Sequence, residues 1–325
     1  MRPYILQGHS RPLTHLKYNR EGDLLVSCAK DVSPCLWDAE TGERIGTYVG
    51  HTGAVNSCDI SPDSTRLITV SGDQSIKLWE METGKCLFTI QQNEPARSTA
   101  FSNGARMAVV GSDPFMTSES RLDVYTIAED PSEQTDKCIL SIPGFSAVRF
   151  TRCLWGHCNE SIIATATDGY IRKYDTETGK LIHEDQVHAE QISDIRISQD
   201  LTHMITASQD KTAKLLDAQT LEVLKTYKTE RPINSADISP IFDHVVLAGG
   251  QDASQVTTTS SKAGKFESMF FHKIYEEEFG IVRGHFGPVN TVAFRPDGRS
   301  FVTGGEDGFI RMQHFDQDYF TTRFF

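Results

Sequence analysis

Gly50-His51, followed by Arg66-Leu67-Ile68-Thr69-Val70-Ser71-Gly72-Asp73-Gln74-Ser75-Ile76-Lys77-Leu78-Trp79-Glu80, is the stretch that decides the fold. It sets a histidine, an aspartate 22 residues later, a hydroxyl residue four before that aspartate and a tryptophan six after it. Leu67-Ile68-Thr69-Val70 and Ser75-Ile76-Lys77-Leu78-Trp79 read as half-buried strands with a period of two. The same template recurs three times. His9, His188 and His285 are followed at the same spacing by Asp31, Asp210 and Asp307, with Ser27, Thr206 and Thr303 four residues before each aspartate. At the tryptophan position stand Trp37, Leu216 and Gln313. Four matches to one three-offset template define an internal repeat, the signature of stacked or radial architectures.

The spacing counts the repeats. His9 to His51 is 42 residues, one repeat; His51 to His188 is 137, three; His188 to His285 is 97, two. Closing the ring after His285 gives seven. The unmarked blades leave traces. Arg97–Gly111 reads as two strands around Ser102-Asn103-Gly104, followed by Arg121–Ile127 with Tyr125 in the tryptophan slot. The fourth blade has Asp168, Tyr174 and the turn Asp175–Gly179; the sixth has Ile233–Pro240, Val245–Gly249 and Lys265–Tyr275. Insertions at 112–120, 128–137 and 252–264 fall between strands, where loops tolerate length.

Turn chemistry agrees: Ser61-Pro62-Asp63-Ser64 and Arg295-Pro296-Asp297-Gly298 suit tight turns, and Thr41-Gly42, Thr83-Gly84 and Thr178-Gly179 lead into outer strands. No segment sustains a 3.6-residue period. The expected fold is all-β, a seven-bladed WD-repeat β-propeller spanning residues 1–325 as a single domain. Residues 4–7 and 319–325 both fit the outer strand of blade seven; the N-terminal segment is the favoured one.

Composition bounds the function. Asp and Glu outnumber Lys and Arg 44 to 32, for a net charge of −12, which disfavours sequence-independent nucleic-acid binding and suits basic protein partners. With 38% apolar residues and a mean hydropathy of −0.36 there is material for a large core. No run approaches the ~18 apolar residues of a membrane span. The N-terminal stretch lacks the apolar run of a signal peptide, so a cytoplasmic, or nuclear, location is expected. Asn159-Glu160-Ser161 spells a glycosylation sequon that carries little weight in that compartment. The seven scattered cysteines are expected to be reduced thiols.

Several constellations resemble chemistry. His51, Thr69, Asp73 and Trp79 look like a catalytic triad with a ring attached, but catalysis needs one exposed nucleophile, not the same tetrad repeated around a ring. A buried hydrogen-bonded clip is the expected role, and no catalytic residue is assigned. Cys153, His157 and Cys158 do not match the spacing of a zinc site, so neither metal nor cofactor is expected. Gly249-Gly250 and Gly304-Gly305 lack the strand-loop-helix setting of a phosphate loop. Glu276-Glu277-Glu278 reads as a solvated charge run or a contact for a basic partner.

The second half resembles one family in particular. Asp243–Gln251, Val256–Ser260, Gly264–Glu267, Phe270–His272, Glu276–Gly280 and Gly284–Thr291 run in register with subunit i of eukaryotic translation initiation factor 3. Leu6–His9, Lys17–Leu25, Gly42–Arg44 and Thr229–Ala236 are similar to the same family; residues 90–186 match loosely. Ala248 interrupts a glycine run, and Ala253-Ser254-Gln255 replaces an acidic pair, both departures from the family pattern. The resemblance implies a cytosolic propeller in the initiation-factor complex on the small ribosomal subunit. It further implies capture of a C-terminal helix of subunit b against blades five and six, and contact with subunit g. The matching positions are Asp200, Asp217 and Gln251. The expected role is therefore a monomeric scaffold inside a hetero-complex, with no direct nucleic-acid or membrane contact. The competing reading is a WD-repeat adaptor, such as a ubiquitin-ligase substrate receptor or a receptor-signalling partner, working through the top face around the channel.

Overall fold

A computed structural model describes residues 3–250 and 266–321. The described residues form seven four-stranded antiparallel sheets. Blade two is typical: Val55–Ile60, Arg66–Ser71, Ser75–Glu80 and Cys86–Gln91, paired in that order from the channel outward. The stretch that opened the sequence reading supplies its second and third strands. Blades three and four, which lack the histidine template, are built alike from Ala96–Phe101, Met107–Ser112, Arg121–Thr126 and Cys138–Pro143, then Phe150–Trp155, Ser161–Ala166, Tyr170–Asp175 and Leu181–Gln186.

Burial peaks at the second strand of a blade and falls toward the rim. The second strands are almost wholly buried, whereas Leu181–Gln186 at the rim of blade four is exposed throughout. The core therefore lies between blades. Val26, Cys28, Leu36 and Tyr48 of blade one pack against Val55, Cys58, Leu67 and Trp79 of blade two. Each fully buried side chain of this kind contributes about 1.5–3 kcal/mol. A second periodicity ties neighbours together. Thr14, Asn56, Asn234 and Asn290, each second in its inner strand, donate to the carbonyls of Val55, Ala96, Val289 and Leu13, each first in the next inner strand. The Asn290–Leu13 bond joins blade seven to blade one.

Ring closure uses the N-terminal segment. Tyr4–Gln7 pairs antiparallel with Phe309–His314 and completes the seventh blade. The other candidate for that slot is instead partly helical: Gln317–Thr321 turns back, and Tyr319 stacks on Phe315 with ring centroids 3.8 Å apart. Gly42, Gly84 and Gly179 all take positive φ near 70° in the turn to the outer strand, and Leu221 and Glu276 adopt the same conformation in blades five and six. All seven cysteines are free thiols.

Candidate functional site

Each histidine of the template meets its aspartate and hydroxyl. His9 Nδ1 lies 2.9 Å from Asp31 and Nε2 2.7 Å from Ser27. The same pairs are 3.0 and 2.7 Å for His51 with Asp73 and Thr69, 2.9 and 2.8 Å for His188 with Asp210 and Thr206, and 3.0 and 2.8 Å for His285 with Asp307 and Thr303. Trp37 and Trp79 donate their indole N–H to Ser27 and Thr69 at 2.8 Å. Each aspartate also accepts the backbone N–H of the residue after its histidine, so the carboxylate clips the loop to the sheet. The four hydroxyl residues are at most 1% exposed. A nucleophile sealed this way meets no substrate, and the satisfied chain of partners suits a structural clip.

The clips differ electrostatically. Burial and the nearby Lys77 depress His51 below the usual imidazole range despite Asp73, and burial with Lys214 does the same to His188. Blade one has Cys35 where those lysines stand. There burial also pulls His9 down, but the hydrogen bond to Asp31 and the nearby Cys35 outweigh it and raise the group to about 9. A raised histidine pKa adds stability that is complete below the unfolded value of 6.5 and lost as pH rises through about 9. His9→Gln is accordingly expected to destabilise the protein more at pH 6 than at pH 10, as measured by urea unfolding at the two pH values.

Blades without the histidine use other clips. In blade three Gln92 donates to the Tyr125 hydroxyl at 2.9 Å, and Arg121 bridges Glu94 and Asp123 at 2.8 and 2.7 Å. In blade four Asp168 pairs with Arg172 at 2.6 Å, and the guanidinium covers the rings of Phe145 and Tyr170. Cys153 is buried against Ser98, apart from the exposed Cys158 beside His157, and no group of three metal-ligating side chains occurs among the described residues.

Asp200 and Asp217 lie on one edge of blade five. Asp200 sits in the turn between Ile192–Ile197 and His203–Ser208; Asp217 ends the strand Thr212–Asp217. His203 pairs with Asp217 across the sheet, and its charge helps lower both carboxylates. Each aspartate has a turn role through one oxygen. Asp200 Oδ1 accepts from the Ser198 hydroxyl at 2.5 Å and the Thr202 N–H at 3.1 Å, and the Ser198 bond leads in holding this group down at about 2. Asp217 Oδ1 accepts the Gln219 and Thr220 N–H groups at 2.8 Å. Oδ2 of neither has a hydrogen-bond partner among the described residues, so each keeps one oxygen for a donor from outside. Gln251 lies outside the described residues.

Asp200 also lines a surface cleft of ≈ 480 Å³ between blades five and six, with His203, Ile238, Ile241, Phe242 and Asp243. Ile241 is 46% exposed. The sequence reading missed this wall, yet a signal was present. Ser239-Pro240-Ile241-Phe242-Asp243 occupies the turn that reads Ser61-Pro62-Asp63-Ser64-Thr65 in blade two, so two apolar residues stand where a turn wants polar ones.

The fold and its repeated clips define a WD-repeat β-propeller. The EIF3I family model matches residues 1–324. A protein of Culex quinquefasciatus named eukaryotic translation initiation factor 3 subunit I is 49% identical over 323 residues, 98% of each chain. Proteins of the same name from Drosophila pseudoobscura pseudoobscura and Bombyx mori are 49% identical over 326 residues (all of both chains) and 48% over 327 (100% of this chain, 98% of the relative). The chain belongs to the family of subunit I of eukaryotic translation initiation factor 3.

Proposed function

We propose that the chain, as one propeller spanning residues 1–325, is a non-catalytic scaffold subunit of the cytoplasmic initiation factor 3 complex. It holds a C-terminal helix of subunit b against blades five and six, contacts subunit g, and so supports initiation on the small ribosomal subunit without touching nucleic acid itself. The observation that carries this reading is the cleft beside Asp200, with Ile238, Ile241 and Phe242 for apolar contact and Asp200 and Asp243 for charge. An amphipathic helix laid in a groove draws affinity from the apolar face. Carboxylates along the rim set encounter rate and orientation. Asp217, one strand away, extends the acidic rim beyond the cleft, and the chain's net charge of −12 favours a basic helix.

Asp200→Lys combined with Asp217→Lys is expected to leave the circular dichroism spectrum of the propeller intact and to abolish co-purification of subunit b. Asp200→Asn combined with Asp217→Asn keeps the oxygens that cap the two turns and removes only charge. That pair should slow association and flatten its salt dependence. Unchanged recovery of subunit b by the lysine pair, with the fold intact, would rule the site out.

A further inference from the structure

The central channel opens on the face that carries the turns Ser61-Pro62 and Asn103-Gly104 as a funnel of ≈ 650 Å³. Its charge runs against that of the whole chain. Lys17, Arg20, Arg152, Arg196 and Arg295 line it, against three carboxylates, Asp59, Asp194 and Asp237, with Arg295 already paired outside the funnel to Glu40 and Asp297. Those carboxylates are already engaged. Asp59 accepts the N–H groups of Ile60 and Phe101 at 3.0 and 2.8 Å and pairs with Lys17 at 3.0 Å. Asp237 accepts the N–H groups of Ile238 and Phe294 at 2.9 and 2.7 Å. Asp194 serves Arg152 at 3.1 Å, Arg196 at 3.3 Å and the Ser235 hydroxyl at 2.6 Å. Every carboxylate oxygen in the funnel therefore has a donor.

The donors are not used up. Arg152 and Arg196 share the single carboxylate of Asp194, and their Nη2 groups reach across the channel to the carbonyls of Thr14 and Leu16. Their Nη1 groups have no hydrogen-bond partner among the described residues. Both guanidiniums are nearly buried, at 13% and 12% side-chain exposure, where a second positive charge beside one carboxylate is poorly screened. The Thr99 hydroxyl, in a residue 5% exposed, lines the same funnel without a partner. A buried lining with spare donors and committed acceptors calls for a ligand that brings acceptors and negative charge.

We propose that the funnel is a binding site for a tetrahedral oxyanion, phosphate or a phosphate monoester, held by Arg152 and Arg196 with the Thr99 hydroxyl and with Lys17 at the rim. The two guanidiniums share hydrogen bonds to one carboxylate, that of Asp194, which leaves their Nη1 donors free for the dianion. Asp194 keeps the guanidiniums in place when the site is empty and competes with the ligand for them. Lys17, Thr99, Arg152 and Arg196 do not line the cleft beside Asp200, although the funnel and that cleft share Gln199, Ile238 and Pro240.

The test titrates the full-length chain with inorganic phosphate, and in a second arm with phosphoserine and glycerol phosphate. Ionic strength is held with potassium chloride, and the readouts are thermal shift and isothermal calorimetry. Saturable binding of any of these that chloride does not reproduce is expected. The arm that binds more tightly tells whether the ligand is the free ion or a phosphate carried on a larger molecule. Asp194→Asn removes the competing charge and should tighten binding about tenfold, a change of 1.4 kcal/mol. A purely structural Asp194 would leave affinity unchanged. The triple substitution Arg152→Gln, Arg196→Gln and Asp194→Asn removes cations and anion together, so that no charge is left buried alone, and should abolish binding. The proposal fails if neither the wild type nor Asp194→Asn responds to phosphate or monoester beyond chloride, or if a folded triple variant binds as well as the wild type.

Discussion

Trp79→Ala is expected to destabilise the propeller by about 3–5 kcal/mol, the range for truncating a large aromatic in a packed core. Trp79 is fully buried at the junction of blades one and two, where its ring meets Tyr48 and His51 with centroids 5.6 and 6.0 Å apart. Its indole N–H ends the chain of bonds running from Asp73 through His51 and Thr69. Trp79→Phe keeps most of the ring and removes that N–H, so it should cost less, roughly 1–2 kcal/mol for a lost hydrogen bond and an unpaired hydroxyl lone pair. His51→Ala should cost roughly 1–3 kcal/mol by leaving Thr69 and Asp73 without a partner. In a double-mutant cycle with Trp79→Phe its effect should be non-additive, because both act on one network. Urea unfolding measures all three. A Trp79→Ala variant as stable as the wild type would show that the clip does not hold these blades.

Deleting Tyr4–Gln7 is the second large effect. These residues form the outer strand of blade seven, paired from Tyr4 with Met312 to Gln7 with Phe309. Leu6 is 3% exposed and belongs to the core shared by blades seven and one, with Leu13, Trp37 and Ile310. Burial of Leu6 is worth about 1.5–3 kcal/mol, and each lost backbone bond adds about 0.5–1.5 kcal/mol. A loss on the order of 5 kcal/mol is expected, comparable to the whole stability of many domains. The deletion should unfold at lower temperature and lose its single cooperative transition, because Phe309–His314 then becomes an uncovered edge strand and blade seven loses its link to the start of the chain. A deletion variant that melts with the wild-type temperature and enthalpy would contradict this closure.

Legibility in the sequence followed what repeats and what does not. The tetrads were readable because the same geometric demand recurs in four blades and therefore leaves the same offsets, from His9 to Asp31 as from His285 to Asp307. Blades three and four were harder to see because other side chains perform the clipping. Gln92 with Tyr125 and Asp168 with Arg172 link side chains in those blades without the residue types of the tetrad. The choice of closing strand was open in principle, since Tyr319 and Phe320 are apolar enough to fill a strand. Their packing on Phe315 and Phe242 takes them into a short helix instead. The apolar turn Ile241-Phe242 becomes a signal only once the blades are aligned on their turns. Arg152, Asp194 and Arg196 left no trace at all. Arg152 stands on the inner strand of blade four and Asp194 and Arg196 on that of blade five, and no repeat offset in the chain connects the three.

The scaffold reading rests on which proteins hold the chain and where. The most direct measurement is affinity purification of the tagged full-length chain from cell extract, followed by cross-linking and mass spectrometry. The account predicts recovery of initiation factor 3 subunits with small ribosomal subunits, and cross-links from subunit b to Lys225 and to Lys273, which lines the cleft between blades five and six. Recovery of a ubiquitin-ligase core or a signalling receptor in place of those subunits, or cross-links from subunit b confined to other blades, would contradict it.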